Sequence, residues 1–255
     1  MSDNSSFTSH FVELRSRLIK SLIFIFVIFV ISYTFAEHIY SFLVSPYAEA
    51  VKDDPGSRRL IFTALHETFI TYLKVAFFAA IFIGSPFLLI QIYKFIAPGL
   101  YKNEKKALLP YLISTPLLFL FGGMLVYYLV MPLAIKFFLS FESMGSNTNL
   151  PIQLEAKVDE YLSLIMRLIF AFGISFQLPI LLNLLARIGV VNSEYLKKTR
   201  RYVIVIIFTL AAILTPPDPI TQVGLAIPLL LLYELSIITV RFTEKKNKNE
   251  NIEDA

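Results

Sequence analysis

HFVELRSRLIKSLIFIFVIFVISYTFA, residues 10–36, decides the fold. From Ser21 to Ala36 it holds no charged side chain, while His10, Glu13, Arg15, Arg17 and Lys20 crowd the approach. Leu18–Ala36 reaches about 28 Å as a helix, close to the roughly 30 Å hydrocarbon core of a bilayer. It is read as a first membrane span. A cleaved leader fits poorly, because the approach carries Asp3 and Glu13 and the apolar run exceeds the roughly 7–15 residues of a signal core. Basic residues alone would anchor this end and set its orientation. The carboxylate of Glu13 needs another reason.

Composition places the whole chain in the same class. Of 255 residues, 56% are hydrophobic and only 16% charged, against about 25% charged in a soluble domain. Mean hydropathy is +0.67. Cysteine is absent, which excludes disulfides, thiol nucleophiles and thiolate metal sites. Tryptophan is absent too, leaving 13 tyrosines as the interfacial aromatics.

Working outward, spans are expected over about 18–36, 70–97, 107–135, 161–186, 202–215 and 221–240, forming one all-α membrane domain, residues 1–241, with a polar, disordered tail over 242–255. The fifth span is short: fourteen residues reach about 21 Å. Its end is set by TPPDP, residues 215–219, whose prolines cannot continue a helix.

Orientation follows from the cations. With the N-terminus inside, one side holds Arg15, Arg17, Lys20, Lys102, Lys105, Lys106, Arg187, Lys197, Lys198, Arg200, Arg201, Arg241, Lys245, Lys246 and Lys248. The other holds Lys52, Arg58, Arg59, Lys136 and Lys157. The asymmetry predicts both termini on the cytoplasmic side.

No GxxxxGK[ST] loop occurs, so no nucleotide-driven pump is read here. His10, His38 and His66 lack metal-ligand spacing. No catalytic set, metal, cofactor or nucleic-acid partner is expected.

Four features stand out from the apolar background. His10, Glu13, Leu14 and Arg17 share a helix face. KFIAPGLYKNEKK, residues 94–106, places Glu104 among Lys102, Lys105 and Lys106 on the same cytoplasmic side as Glu13. On pattern alone, the first stretch is either an amphipathic interfacial lead-in or a receiver for a guanidinium, and Glu104 is either the compensating acid of a basic inner loop or a second such receiver. Gln177, Glu234 and Arg167 lie within spans, where a charge costs about 2.5–3.5 kcal/mol at the midplane. Arg167, about 9 Å inward of Tyr161, is read as snorkelling outward. Finally, LTPPDPITQ, residues 214–222, gathers Thr215, Asp218 and Gln222 beside the undersized span. It reads either as a proline-stopped turn with a capping aspartate or as an edge for docking helices.

In this order over six spans, HFVELRSRL, FIAPGLYKNEKK, YLSLIMRLIFAFGISFQLP and RRYVIVIIFTLAAILTPPDPITQ resemble TatC, the multispanning subunit of the twin-arginine protein translocase. The resemblance runs from His10 to Arg241 and implies a cupped helical fold with short fifth and sixth helices. It implies a receptor and assembly core that exports folded proteins, driven by the proton motive force, in the bacterial cytoplasmic (inner) membrane. By motif match, Glu13 and Glu104 receive the paired arginines of cargo signal peptides, and Arg15, Arg17 and Phe95 shape that site. Single-span TatA and TatB subunits are implied partners along spans five and six, at Thr215, Asp218 and Gln222, together with self-association and membrane lipid. The family often has glutamate where this chain has Gln177, so that intramembrane polar position is expected to act by hydrogen bonding. An ion-coupled solute transporter is the competing class. It would need a polar site near the midplane, whereas the acids here concentrate at the inner surface and the outer turn, with Gln177 and Glu234 the only strong inner candidates.

Overall fold

The computed structural model describes residues 3–52, 59–96, 105–143, 150, 152–187, 189–215 and 218–253. For 3–11, 93–96, 105–110 and 246–253 it describes the backbone only. The described residues form α1 (Asp3–Thr34), α2 (Ala36–Ala50), α3 (Glu67–Ile96), α4 (Lys105–Leu125), a π-helical turn (Val126–Val130), α5 (Met131–Leu139), α6 (Val158–Ser175), α7 (Leu178–Arg187), α8 (Ser193–Leu214) and α9 (Pro219–Glu253). This is an all-helical membrane protein. Among the described residues, Glu67–Ile92, Tyr111–Leu139, Val158–Arg187 and Pro219–Lys245 are each long and apolar enough to cross a bilayer. A fifth such stretch arises if Val12–Thr34 and Ala36–Ala50, bent by 78°, count as one. The sequence reading of six is thus not matched one for one. Its short fifth span is the apolar half of α8, whose first half carries Glu194, Lys197, Lys198, Arg200 and Arg201.

The chain divides into two compact units. The first comprises Met1–Ser45, Ile61–Leu117 and Lys157–Leu162. Here α1 and α3 pack along their length. Phe24 lies 4.3 Å from Phe87, centroid to centroid, and Phe29 meets Phe77 edge-on at 6.4 Å. Gly84 of α3 sits where an added Cβ would come 3.5 Å from Ile25. α1 stops at Thr34, whose hydroxyl donates to the Ile31 carbonyl. The chain then turns into α2, which lies between the first two spans expected from sequence. Leu43 of α2 is fully buried, and its carbonyl accepts from the Tyr161 hydroxyl at 3.0 Å. At the far end of α3, the Val158 N–H donates to the Ile61 carbonyl, and Lys74 pairs with Asp159 at 2.6 Å.

The second unit comprises Pro46–Leu60, Leu118–Ala156 and Ser163–Ala255. Its α4 and α6 cross at two glycines. A Cβ at Gly122 would lie 2.8 Å from the Phe172 carbonyl oxygen, and one at Gly173 would lie 2.6 Å from the Phe119 ring. Helices without a hydrophobic drive between them gain from such close approach. The π-helical turn follows α4 and is explained by Pro132, which has no N–H to give and would clash with the carbonyl four residues back. The Met131 N–H bonds the Val126 carbonyl instead, five residues back. Val130 of this turn packs against Gly224 of α9. A separate cluster ties α7, α8 and α9 together through Ala186, Leu196, Tyr233, Ile237 and Val240. The Tyr233 hydroxyl crosses to the Leu196 carbonyl at 2.8 Å.

Candidate functional site

Glu13 and Arg17 are four residues apart on α1, in the favoured sense with the acid nearer the N-terminus. The Arg17 guanidinium donates twice to the same Glu13 oxygen, from Nε at 3.0 Å and from Nη2. Its remaining arm, Nη1, reaches Gln91 Oε1 of α3 at 3.2 Å. Arg17 is 23% and Glu13 34% exposed, so the pair is half sheltered but still open to solvent. The Ser21 hydroxyl, buried one turn further on, donates to the Arg17 carbonyl. The α1–α3 packing that begins at Phe24 and Phe87 therefore delivers an oriented carboxylate. One Glu13 oxygen holds Arg17, and the carboxylate retains lone pairs for a further donor.

Arg15 is exposed, away from the half-sheltered Glu13 and Arg17. Phe95 lies on α3, four residues beyond Gln91, but its side chain falls outside the described residues. Glu104 also falls outside the described residues. Sequence reasoning passed over Gln91. Its signal was a lone amide in the otherwise apolar run of span two, at the end where that run meets Lys94.

Gln177 occupies the break between α6 and α7. Its N–H bonds the Ile174 carbonyl at 3.0 Å, a tightened turn, before Pro179. Two turns of α7 onward, the Asn183 amide donates to the Pro179 carbonyl and to the Thr239 hydroxyl of α9, both at 2.7 Å. The Thr243 hydroxyl then donates to Asn183 Oδ1 at 3.2 Å. This polar ladder across α7 and α9 was also missed from sequence. Arg167 is exposed on α6. Glu234, read as an intramembrane acid, pairs at 2.6 Å with Arg200 of α8.

Thr215, Asp218 and Gln222 all lie at the α8–α9 corner, each with its own partner. Thr215 is buried, and its hydroxyl donates to the Ala211 carbonyl at 2.9 Å. Asp218 is buried as the cap of α9: one oxygen accepts the Thr221 N–H at 2.7 Å and the other accepts the Thr221 hydroxyl. The half-exposed Gln222 amide reaches back to the Phe208 carbonyl of α8 at 3.4 Å.

The family described as Sec-independent protein translocase protein (TatC) matches residues 9–228. A Sec-independent protein translocase protein TatC from Magnetococcus marinus is 48% identical over 241 residues, covering 94% of this chain and 86% of that protein. The protein of the same name from Rickettsia prowazekii is 47% identical over 239 residues, covering 94% of each. A crystal structure described as the twin arginine translocase receptor TatC superimposes with a TM-score of 0.77 at 38% identity, over 92% of this chain and 99% of that one. The family is a translocase component and not an enzyme. This chain belongs to the TatC family of Sec-independent protein translocase proteins.

Proposed function

We propose that the chain is the receptor of a twin-arginine translocase, with Glu13 receiving a guanidinium of the signal peptide. The supporting observation is the Gln91–Arg17–Glu13 relay, which orients a half-exposed carboxylate at the N-terminal end of the α1–α3 pair. A guanidinium is a rigid five-donor fork suited to a carboxylate, and an ammonium is not. The cations around Glu13 repel cargo that brings too few contacts. Glu104, Arg15 and Phe95 complete the same site in this reading.

The finer picture is part of the proposal. The chain makes six spans with both termini on the cytoplasmic side of the bacterial inner membrane, as the Lys/Arg asymmetry favours. Single-span TatA and TatB subunits dock at the α8–α9 corner, near Thr215, Asp218 and Gln222, and the proton motive force drives export.

The test is photocrosslinking in membranes, from a probe at Phe95, with a signal peptide bearing Arg-Arg or Lys-Lys. Strong labelling by Arg-Arg that fades with Lys-Lys and with Glu13→Ala is expected. Equal labelling by both peptides would reduce Glu13 to charge balance and refute the receptor assignment.

A further inference from the structure

The second unit holds a cleft of about 390 Å³ between the basic half of α8 and the C-terminal half of α9. On α9 its walls recur as Glu234, Ile237, Ile238, Arg241, Phe242 and Lys245, which is one helix face by the three-and-four spacing. Lys197 and Arg200 face it from α8. Four cations therefore meet one acid. That acid, Glu234, is engaged with Arg200. Among the described residues, Lys197, Arg241 and Lys245 have no carboxylate within ion-pair distance.

The cleft is not merely charged. Ile237 is buried at its base, while Ile238 and Phe242 are exposed along its side. It lies where both helices change character: α8 turns apolar after Arg201, and the apolar run of α9 ends at Val240. Basic residues flanking a span usually extend singly into water. Here they converge from two helices on an apolar-walled space at the membrane boundary. That combination matches a molecule with an anionic head and a hydrocarbon body.

We propose that this cleft is a binding site for an anionic phospholipid, its phosphodiester held by Lys197, Arg241 and Lys245 and its acyl chain lying along Ile238 and Phe242. The Arg200–Glu234 pair closes the α8 side and keeps Glu234 from repelling the headgroup. No part of the translocase assignment is needed for this reading.

The chain has no tryptophan, so a single introduced indole is a clean reporter. Phe242→Trp places one in the cleft at an exposed position, and Ile206→Trp places a control on the apolar half of α8. Each variant is reconstituted in bilayers of phosphatidylcholine with brominated phosphatidylglycerol or brominated phosphatidylcholine at fixed ionic strength. At the Phe242→Trp indole, phosphatidylglycerol should be preferred by about five-fold, and at the control by less than about two-fold. Adding Lys197→Gln, Arg241→Gln and Lys245→Gln should bring the first ratio down to the second. Excess inorganic phosphate should leave the preference intact. Displacement by phosphate would make this a free-anion site and overturn the lipid assignment. Equal quenching by both lipids would also overturn it, and would assign the cations to an acidic protein segment.

Discussion

Gln91→Ala is the sharpest test of the receptor geometry. The side chain touches the site through one contact, its Oε1 on Arg17 Nη1 at 3.2 Å, and Arg17 in turn holds Glu13. A hydrogen bond to a charged group is worth about 1.5–3 kcal/mol. With Arg17 23% and Glu13 34% exposed, solvent screening brings this down to about 1 kcal/mol. That corresponds to about a five-fold rise in Kd for an Arg-Arg signal peptide. Glu13→Gln removes the receiving charge itself and should cost more, about 10- to 100-fold. The assay is equilibrium binding of a fluorescent signal peptide to the full chain in nanodiscs, with thermal unfolding as a folding control. Because Gln91 acts through Glu13, the double variant should bind little worse than Glu13→Gln alone, a coupling of about 1 kcal/mol. Fully additive losses would mean that Gln91 meets the peptide independently. Unchanged binding in Gln91→Ala would mean that Arg17 needs no third anchor. Either result refutes the relay.

The glycine contacts rank three further substitutions. Gly122→Ala drives a methyl into the Phe172 backbone and should destabilise by about 1–3 kcal/mol, whereas Gly173→Ala meets a ring that can yield and should cost less. Gly84→Ala finds ordinary contact at 3.5 Å and should be neutral or stabilising, because alanine outranks glycine in a helix by about 1 kcal/mol. Thermal midpoints in detergent that reverse this order would contradict the helix crossing. Asp218→Ala should cost about 1 kcal/mol through loss of the α9 cap, while Asp218→Asn keeps most of it. If Asp218→Asn instead loses partner-subunit crosslinking at full stability, the carboxylate acts beyond capping. Tyr233→Phe leaves the hydroxyl's partner, the Leu196 carbonyl, one bond short and should cost about 1 kcal/mol, read by denaturant or thermal unfolding.

Local composition was enough to establish a helical membrane protein built on several long apolar runs. Burying an uncharged run in lipid requires nothing beyond local composition and the helical rise. The sequence by itself also determined that Glu13 needed a partner and that TPPDP ends a helix, because both depend on neighbours within a few residues. Other features depended on residues far apart in the chain. Nothing local in the span-two amide at Gln91 says that it meets Arg17, 74 positions earlier. Glu234 looked like a costly intramembrane acid until α8 brought Arg200 to it, 34 positions away. Asn183 joined a ladder with Thr239 and Thr243 only when α7 packed on α9. The turn into α2 after Thr34 was likewise not legible locally, whereas the π-helical turn before Pro132 follows from the proline itself. An amide or a charge in lipid is costly until paired, and local sequence announces that cost, while tertiary structure supplies the partner.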